Sequence, residues 1–338
     1  MRNTTLAVFA AVVAAGGYFA WKAEHPVART PSADWEASIT IPGVEASTFF
    51  VPVDGATLEA MILLPTGAQP PAGAVVFAGG SGDGLFQDYA PGFLKTYLQD
   101  IFLPRGIAVV YVNKRGMGAS TGNWMNNTIE GRAADLNAVA AAVRAMDGID
   151  PARVGLAGHS QGGWVVVEAA AAEPATAFVL NFMGPLRSTN DQFENMWHNI
   201  YACNGLEGTA LERAYARKAW ITHVGMAVGR VLPIGMLEFD SRFFTYDNAG
   251  RLAEVAAPML SIYGGADILV DGPANEAALA AAFPGGVPDH LEAVTLPGLN
   301  HSGYARADIC DETTGLDATS ASPEMVVTIE DWLDRIGS

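Results

Sequence analysis

The chain has 338 residues, half of them hydrophobic, enough for one large core or at most two. Nineteen basic against 36 acidic residues leave a net charge of −17, which repels phosphate backbones and argues against nucleic acid as a partner. An acidic surface of this kind otherwise serves solubility.

Residues 3–21 carry no charge and follow Arg2. Segment 1–21 therefore reads as a secretory signal peptide or an N-terminal membrane anchor. The uncharged length is close to the roughly 20 residues a spanning helix needs, and no clean small-x-small site follows Phe19, which favours the uncleaved anchor. Either form exports the body of the chain, to the periplasmic face of the inner membrane if anchored and to the periplasm or medium if cleaved. Residues 22–36, with Pro26 and Pro31, read as a tether.

From residue 37 short β-rich runs alternate with helical ones. Ser47–Val53 and Leu58–Leu64 read as antiparallel strands. Ala74–Ala78, Ile107–Val112, Val154–Ala157 and Ala177–Phe182 are continuous apolar runs, the pattern of parallel strands buried on both faces. Helical patterns separate them over Tyr89–Phe102, Ile129–Met146 and Gln161–Ala172. The rhythm breaks at 185–256, where Phe193, Met196, Trp197, Ile200 and Tyr201 follow helical spacing and Leu211, Tyr215 and Trp220 continue it. It resumes with strand Met259–Tyr263, helix Ala274–Phe283, strand Leu291–Leu296 and a last helix Pro323–Ile336. The pattern predicts an α/β class, a mostly parallel doubly wound sheet built from 37–184 and 257–338 with 185–256 as an inserted helical cap. Cys203 and Cys310 lack metal or redox spacing, and the sequence leaves open whether they pair or stand as two buried thiols.

Gly158-His159-Ser160-Gln161-Gly162 lies between a strand signal and a helix signal, the context in which G-x-S-x-G presents a nucleophile. Ser160 needs a base, and the base needs an orienting acid. Among six histidines, His301 lies in a Gly-rich loop just past the last strand, at the sheet edge where a base is required. His159 inside the elbow is expected to point away and to be structural. Asp267 follows strand Met259–Tyr263 and a Gly-Gly turn, whereas its neighbour Asp271 is better explained as a helix cap. The order Ser160, Asp267, His301 is the one such a sheet requires. Acyl transfer also needs donors for the oxyanion, for which the backbone N–H groups of Gln161 and of Ser81, in the loop Gly79-Gly80-Ser81-Gly82-Asp83-Gly84, are the candidates. The loop from Lys114 to Gly122 reads as a rigid support.

With these residues in place the chain resembles the α/β-hydrolase superfamily, and within it the exported bacterial esterase-like serine hydrolases. The resemblance rests on an H-G-S-G-type loop (Gly79 to Gly82), a K-R-G-x-G-x-S-T-G loop (Lys114 to Gly122), G-H-S-x-G (Gly158 to Gly162) and L-P-x-x-N-H (Leu296 to His301), and covers roughly residue 47 onward. One departure stands out: Gly79 occupies the place of the usual first-loop His. The resemblance implies cleavage of carboxylic esters through an acyl-enzyme, with Ser160, Asp267 and His301 as triad and the Ser81 and Gln161 amides as oxyanion hole, and without metal or cofactor. The expected partners are a small-molecule ester and, if the N-terminal segment is uncleaved, the membrane. Cap aromatics Trp197 and Trp220 are the candidates for contact with an apolar acyl group. Peptidase, thioesterase and acyltransferase chemistry use the same triad and stay open. Dehalogenase and epoxide-hydrolase chemistry need an Asp where the chain has Ser160. A non-catalytic binding protein is the remaining alternative.

Overall fold

A computed structural model describes residues 40–66, 71–86, 89, 92–232, 235–306, 308–310 and 321–337. The expected signal peptide or anchor and the tether lie outside the described residues. Among the described residues no helix is long and apolar enough to cross a membrane.

Strands β1 (Val44–Val53) and β2 (Ala56–Pro65) form an antiparallel hairpin. Its turn is Asp54-Gly55, where Gly55 takes φ +71°, a conformation that costs glycine nothing. The buried strands follow: β3 (Ala72–Ala78), β4 (Ile107–Val112), β5 (Ile149–His159), β6 (Val179–Phe182), β7 (Met259–Gly264) and β8 (Leu291–Leu296). They pair in the order β1-β2-β4-β3-β5-β6-β7-β8, antiparallel at the β1–β2 and β2–β4 seams and parallel elsewhere.

Strand β3 lies between β4 and β5, so the chain leaves it in one direction and returns past it in the other. That reversal opens a crevice at the carboxyl ends of β3 and β5, the place where open α/β sheets bind ligands. Register fixes the two ends side by side, with Phe77 opposite Ala157 and Ala78 opposite Gly158.

Alternate residues of β3 feed two cores. Val76 packs with helices α2 (Ile129–Arg144), α3 (Gln161–Ala172) and α8 (Gly272–Ala282) on one face. Val75 and Phe77 pack on the other, against the helical segment α1 (95–105) and α9 (Pro323–Ile336). Side-chain caps start three of these helices. Thr128, Asp271 and Ser322 accept the Gly131, Ala274 and Met325 amides at 3.1, 3.0 and 3.3 Å. The first helix starts later than its sequence pattern suggests, since Gly92, at φ +84°, interrupts the run.

Between β6 and β7 the chain forms α4 (Thr189–Cys203), α5 (Gly208–Val231), α6 (Gly235–Phe243) and α7 (Ala249–Leu252). Aromatic packing seats this group on the sheet layer: Phe193 and Trp164 both meet Phe243 edge-on, at 5.5 and 5.6 Å between ring centres. Cys203 at the end of α4 is disulfide-bonded to Cys310, with Cα atoms 5.2 Å apart, so the two cysteines are partners rather than separate thiols. The bridge joins the helical group to the segment that follows His301.

Candidate active site

Ser160 sits between β5 and α3 with φ +56° and ψ −123°, one of two non-glycine residues at positive φ among those described. An L-residue holds such a conformation only where its surroundings enforce it. Here a Cβ on Gly158 would stand 2.2 Å from the Gly162 carbonyl oxygen, and one on Gly162 would stand 2.2 Å from that of Ala78. Both elbow glycines are thus steric requirements. The Ser160 amide donates to the Phe182 carbonyl at 3.0 Å, which pins the turn to β6.

His301 reaches the same place by folding back. After β8 the chain turns at Gly298, at φ +65°, and passes over the end of β7. A Cβ on Gly264 would lie 2.0 Å from the Leu299 carbonyl oxygen, and Ala266 donates to that oxygen at 3.0 Å. Buried Asn300 accepts the Ser302 and Tyr304 amides at 3.0 and 2.9 Å, closing a tight turn around His301. Asp267 follows β7 and is 3% exposed, so its carboxyl oxygens take their hydrogen bonds from the protein. Oδ2 lies 2.8 Å from His301 Nδ1, while Oδ1 accepts the Leu269 and Val270 amides at 2.8 and 2.9 Å.

Ser160 and His301 line one cavity of about 320 Å³ whose walls include Ser81, Phe86, Tyr89 and Leu269. The loop after β3 presses on Ser160, since a Cβ on Gly80 would come 3.2 Å from that of Ser160. Gln161 opens α3, where the first backbone N–H groups have no partner within the helix. The structure therefore gathers Ser160, His301, Asp267, Ser81 and Gln161 at one crevice.

Trp197 and Trp220 are not gathered there, which corrects their assignment to the substrate pocket. Neither lines the cavity; Trp197 carries the Lys218 ammonium 4.3 Å over its ring, and Trp220 on α5 is 66% exposed. Helical spacing groups aromatic residues on a face but does not say which way the face turns.

Four residues that the sequence reading gave no catalytic part complete the site. Arg132 of α2 donates through Nη2 to the Gly79 carbonyl at 2.8 Å and through Nη1 to the Gln161 side-chain oxygen. Lys114 donates to the Gly80 carbonyl at 3.0 Å and also to that of Gly82. These contacts fix the carbonyls of the loop beside Ser160. Burial and the Arg132 charge bring Lys114 down to about 7, against the pull of Asp83, and burial brings Arg132 down to about 10. The only sequence signal for Arg132 was a basic residue within the Ala-rich helix Ile129–Arg144. Replacing Arg132 by Met is expected to strand two acceptors and misalign the loop. Turnover of a short-chain aryl ester should fall about 10²–10³-fold in kcat with KM little changed, in steady-state kinetics.

His159 and Tyr89 are the other two. His159 lines the cavity instead of pointing away from it. Its Nε2 lies 2.7 Å from the His301 carbonyl oxygen, which can only accept, so the proton is on Nε2 and Nδ1 accepts the Tyr89 hydroxyl. The Tyr89 ring lies 3.4 Å from where a Cβ on Gly79 would stand, filling the space beside the loop position that lacks its customary His. Burial and the neighbouring His301 push His159 down from 6.5 to about 3. A proton that the unfolded chain takes up near pH 6.5 is refused by the folded one until about pH 3, so stability falls as pH drops through that window. His159→Gln, which keeps a donor for the His301 carbonyl, should flatten the fall of Tm with acid in a melting series.

Against known proteins, the S15 family of X-Pro dipeptidyl-peptidases matches residues 54–218, which contain Ser160 but neither Asp267 nor His301. No curated protein matches the chain. Among solved structures, the 2,6-dihydroxy-pseudo-oxynicotine hydrolase is similar with TM-score 0.56 and 18% identity, over 86% of this chain and 68% of that one. An esterase of Pyrococcus furiosus is similar with TM-score 0.56 and 14% identity, over 92% and 96%. A Butyrivibrio proteoclasticus protein solved with ferulic acid bound gives TM-score 0.55 and 17% identity, over 86% and 100%. The sheet order and these likenesses define the class: the chain has the α/β-hydrolase fold.

Proposed function

We propose that the protein is a serine hydrolase that cleaves carboxylic esters. The observation that carries this reading is Ser160, strained at φ +56° on the wall of a cavity shared with a His301 whose Nδ1 is 2.8 Å from buried Asp267. In this mechanism His301 takes the Ser160 proton as the hydroxyl attacks the acyl carbon, and returns it to the leaving alcohol. Asp267 holds the Nδ1–H tautomer, so Nε2 is the nitrogen that acts as the base. The Ser81 and Gln161 amides receive the oxyanion. Water, deprotonated by His301, then releases the acid and regenerates Ser160.

The esterase-like neighbours and the dipeptidyl-peptidase match support a hydrolase of esters or peptides. The cavity lining favours the ester. Release of an N-terminal dipeptide calls for a carboxylate to receive the substrate's ammonium, and among the described residues no Asp or Glu lines this cavity. Leu85, Phe86, Val112 and Leu269 instead offer apolar walls to an acyl or aryl group. The disulfide between Cys203 and Cys310 supports an oxidising, extracytoplasmic location, in keeping with the exported body read from residues 1–21.

A fluorophosphonate should label the wild type on Ser160 and leave Ser160→Ala unlabelled. A panel of short aryl esters, thioesters and X-Pro peptide amides should be turned over with esters fastest. An unlabelled wild type overturns the enzyme in favour of a binding protein; faster amide turnover overturns the ester in favour of a peptidase.

A further inference from the structure

We infer that helix α5 carries a docking face for an anionic lipid surface, independent of the ester chemistry. At about 100° per residue, Arg213, Arg217, Trp220, Ile221, Val224, Val228 and Val231 fall within roughly 100° of arc on one side of the helix. The opposite side, with Leu211, Met226 and Gly229, is the buried one. A helix facing water on its outer side should be polar there. Instead Trp220 is 66% exposed and Val231 79%, and Ile221, Val224 and Val228 are exposed as well. Leu232, just past the helix, is exposed too.

Charge selects the occupant. Helix α5 holds four basic residues, Arg213, Arg217, Lys218 and Arg230, against the single acid Glu212, in a chain of net charge −17. Among the described residues the only ion pair made by this helix is that of Glu212 with His198. A second copy is a poor fit: parallel pairing sets Arg213 and Arg217 against the same residues of the partner helix, and antiparallel pairing sets their charges against the apolar Val228 and Val231. An anionic bilayer fits both features. Its headgroups meet Arg213 and Arg217 in the first half of the helix, while Trp220 and the valines enter the boundary of the acyl chains, the arrangement of an interfacial amphipathic helix. The acidic remainder of the surface is repelled from the same bilayer, so this face sets the orientation and keeps the cap against the lipid.

The test is quenching of tryptophan emission in the full chain by brominated lipids, in vesicles of phosphatidylglycerol with phosphatidylcholine and in vesicles of phosphatidylcholine alone. Strong quenching is expected with the anionic vesicles, reduced by salt and by the neutral lipid. Trp220→Phe should lose most of it, and Val224→Glu with Val231→Glu should lose it while hydrolysing a soluble ester at the wild-type rate. Quenching equal in wild type and Trp220→Phe overturns the proposal. So does a dimer in light scattering that the double variant dissociates, with no quenching by either lipid, since the face is then an interface between copies. Soluble-ester turnover is read on the same samples, so a failed docking face and a failed hydrolase assignment give different results.

Discussion

Ser160→Ala is expected to lower ester turnover by about 10⁴-fold or more while leaving the melting temperature close to that of the wild type. The rate effect follows from chemistry: without the hydroxyl no acyl-enzyme forms, and only the oxyanion donors and substrate positioning act on a direct attack by water. The stability expectation follows from the elbow. Alanine keeps a Cβ at φ +56°, so the strain of the turn is unchanged, and the clashes that require Gly158 and Gly162 do not involve the Ser160 hydroxyl. The Ser160 amide bond to Phe182 is also retained. Steady-state kinetics with a short-chain aryl ester, beside a melting curve, separate the two effects. Wild-type turnover in the variant removes Ser160 from the mechanism.

Asp267→Asn is expected to cost about 10⁴-fold in kcat, again with the fold intact. The direction of the damage is set by the backbone. Oδ1 of Asp267 accepts two amides, from Leu269 and Val270, so an asparagine must place its carbonyl oxygen there and turn its NH₂ toward His301 Nδ1. Two donors then face one another unless His301 moves its proton to Nε2. That tautomer presents N–H, not a lone pair, to Ser160, and the base is lost. A variant with undiminished turnover removes Asp267 from the role of orienting acid. Partial recovery at high pH is expected, where hydroxide in bulk solution substitutes for the missing base.

The contrast between Asp267 and the residues behind the β3 loop explains what was legible beforehand. Ser160, Asp267 and His301 each follow a short apolar run and a glycine-rich turn, so local patterning places all three at one sheet edge. Arg132 has no such signature, and Lys114, though it follows the apolar run Ile107–Val112, carries no local sign of what it binds. Each acts on carbonyls of the loop at residues 79–84, across 53 and 32–34 positions of sequence respectively. His159 was misjudged for a related reason. Its direction depends on His301 and Tyr89, which are 142 and 70 positions away.

The alternation of apolar runs and helical spacing by itself determined the order of strands and helices, the elbow and the identity of the three polar residues at strand ends. Those are local properties, fixed by side-chain periodicity and by glycine where a Cβ has no room. Only the tertiary structure decided that Cys203 bonds Cys310, that Arg132 and Lys114 hold the carbonyls of the loop beside Ser160, and that Trp220 faces outward. Each depends on how distant elements pack and on which face of a helix is left uncovered, and sequence spacing carries no information about either.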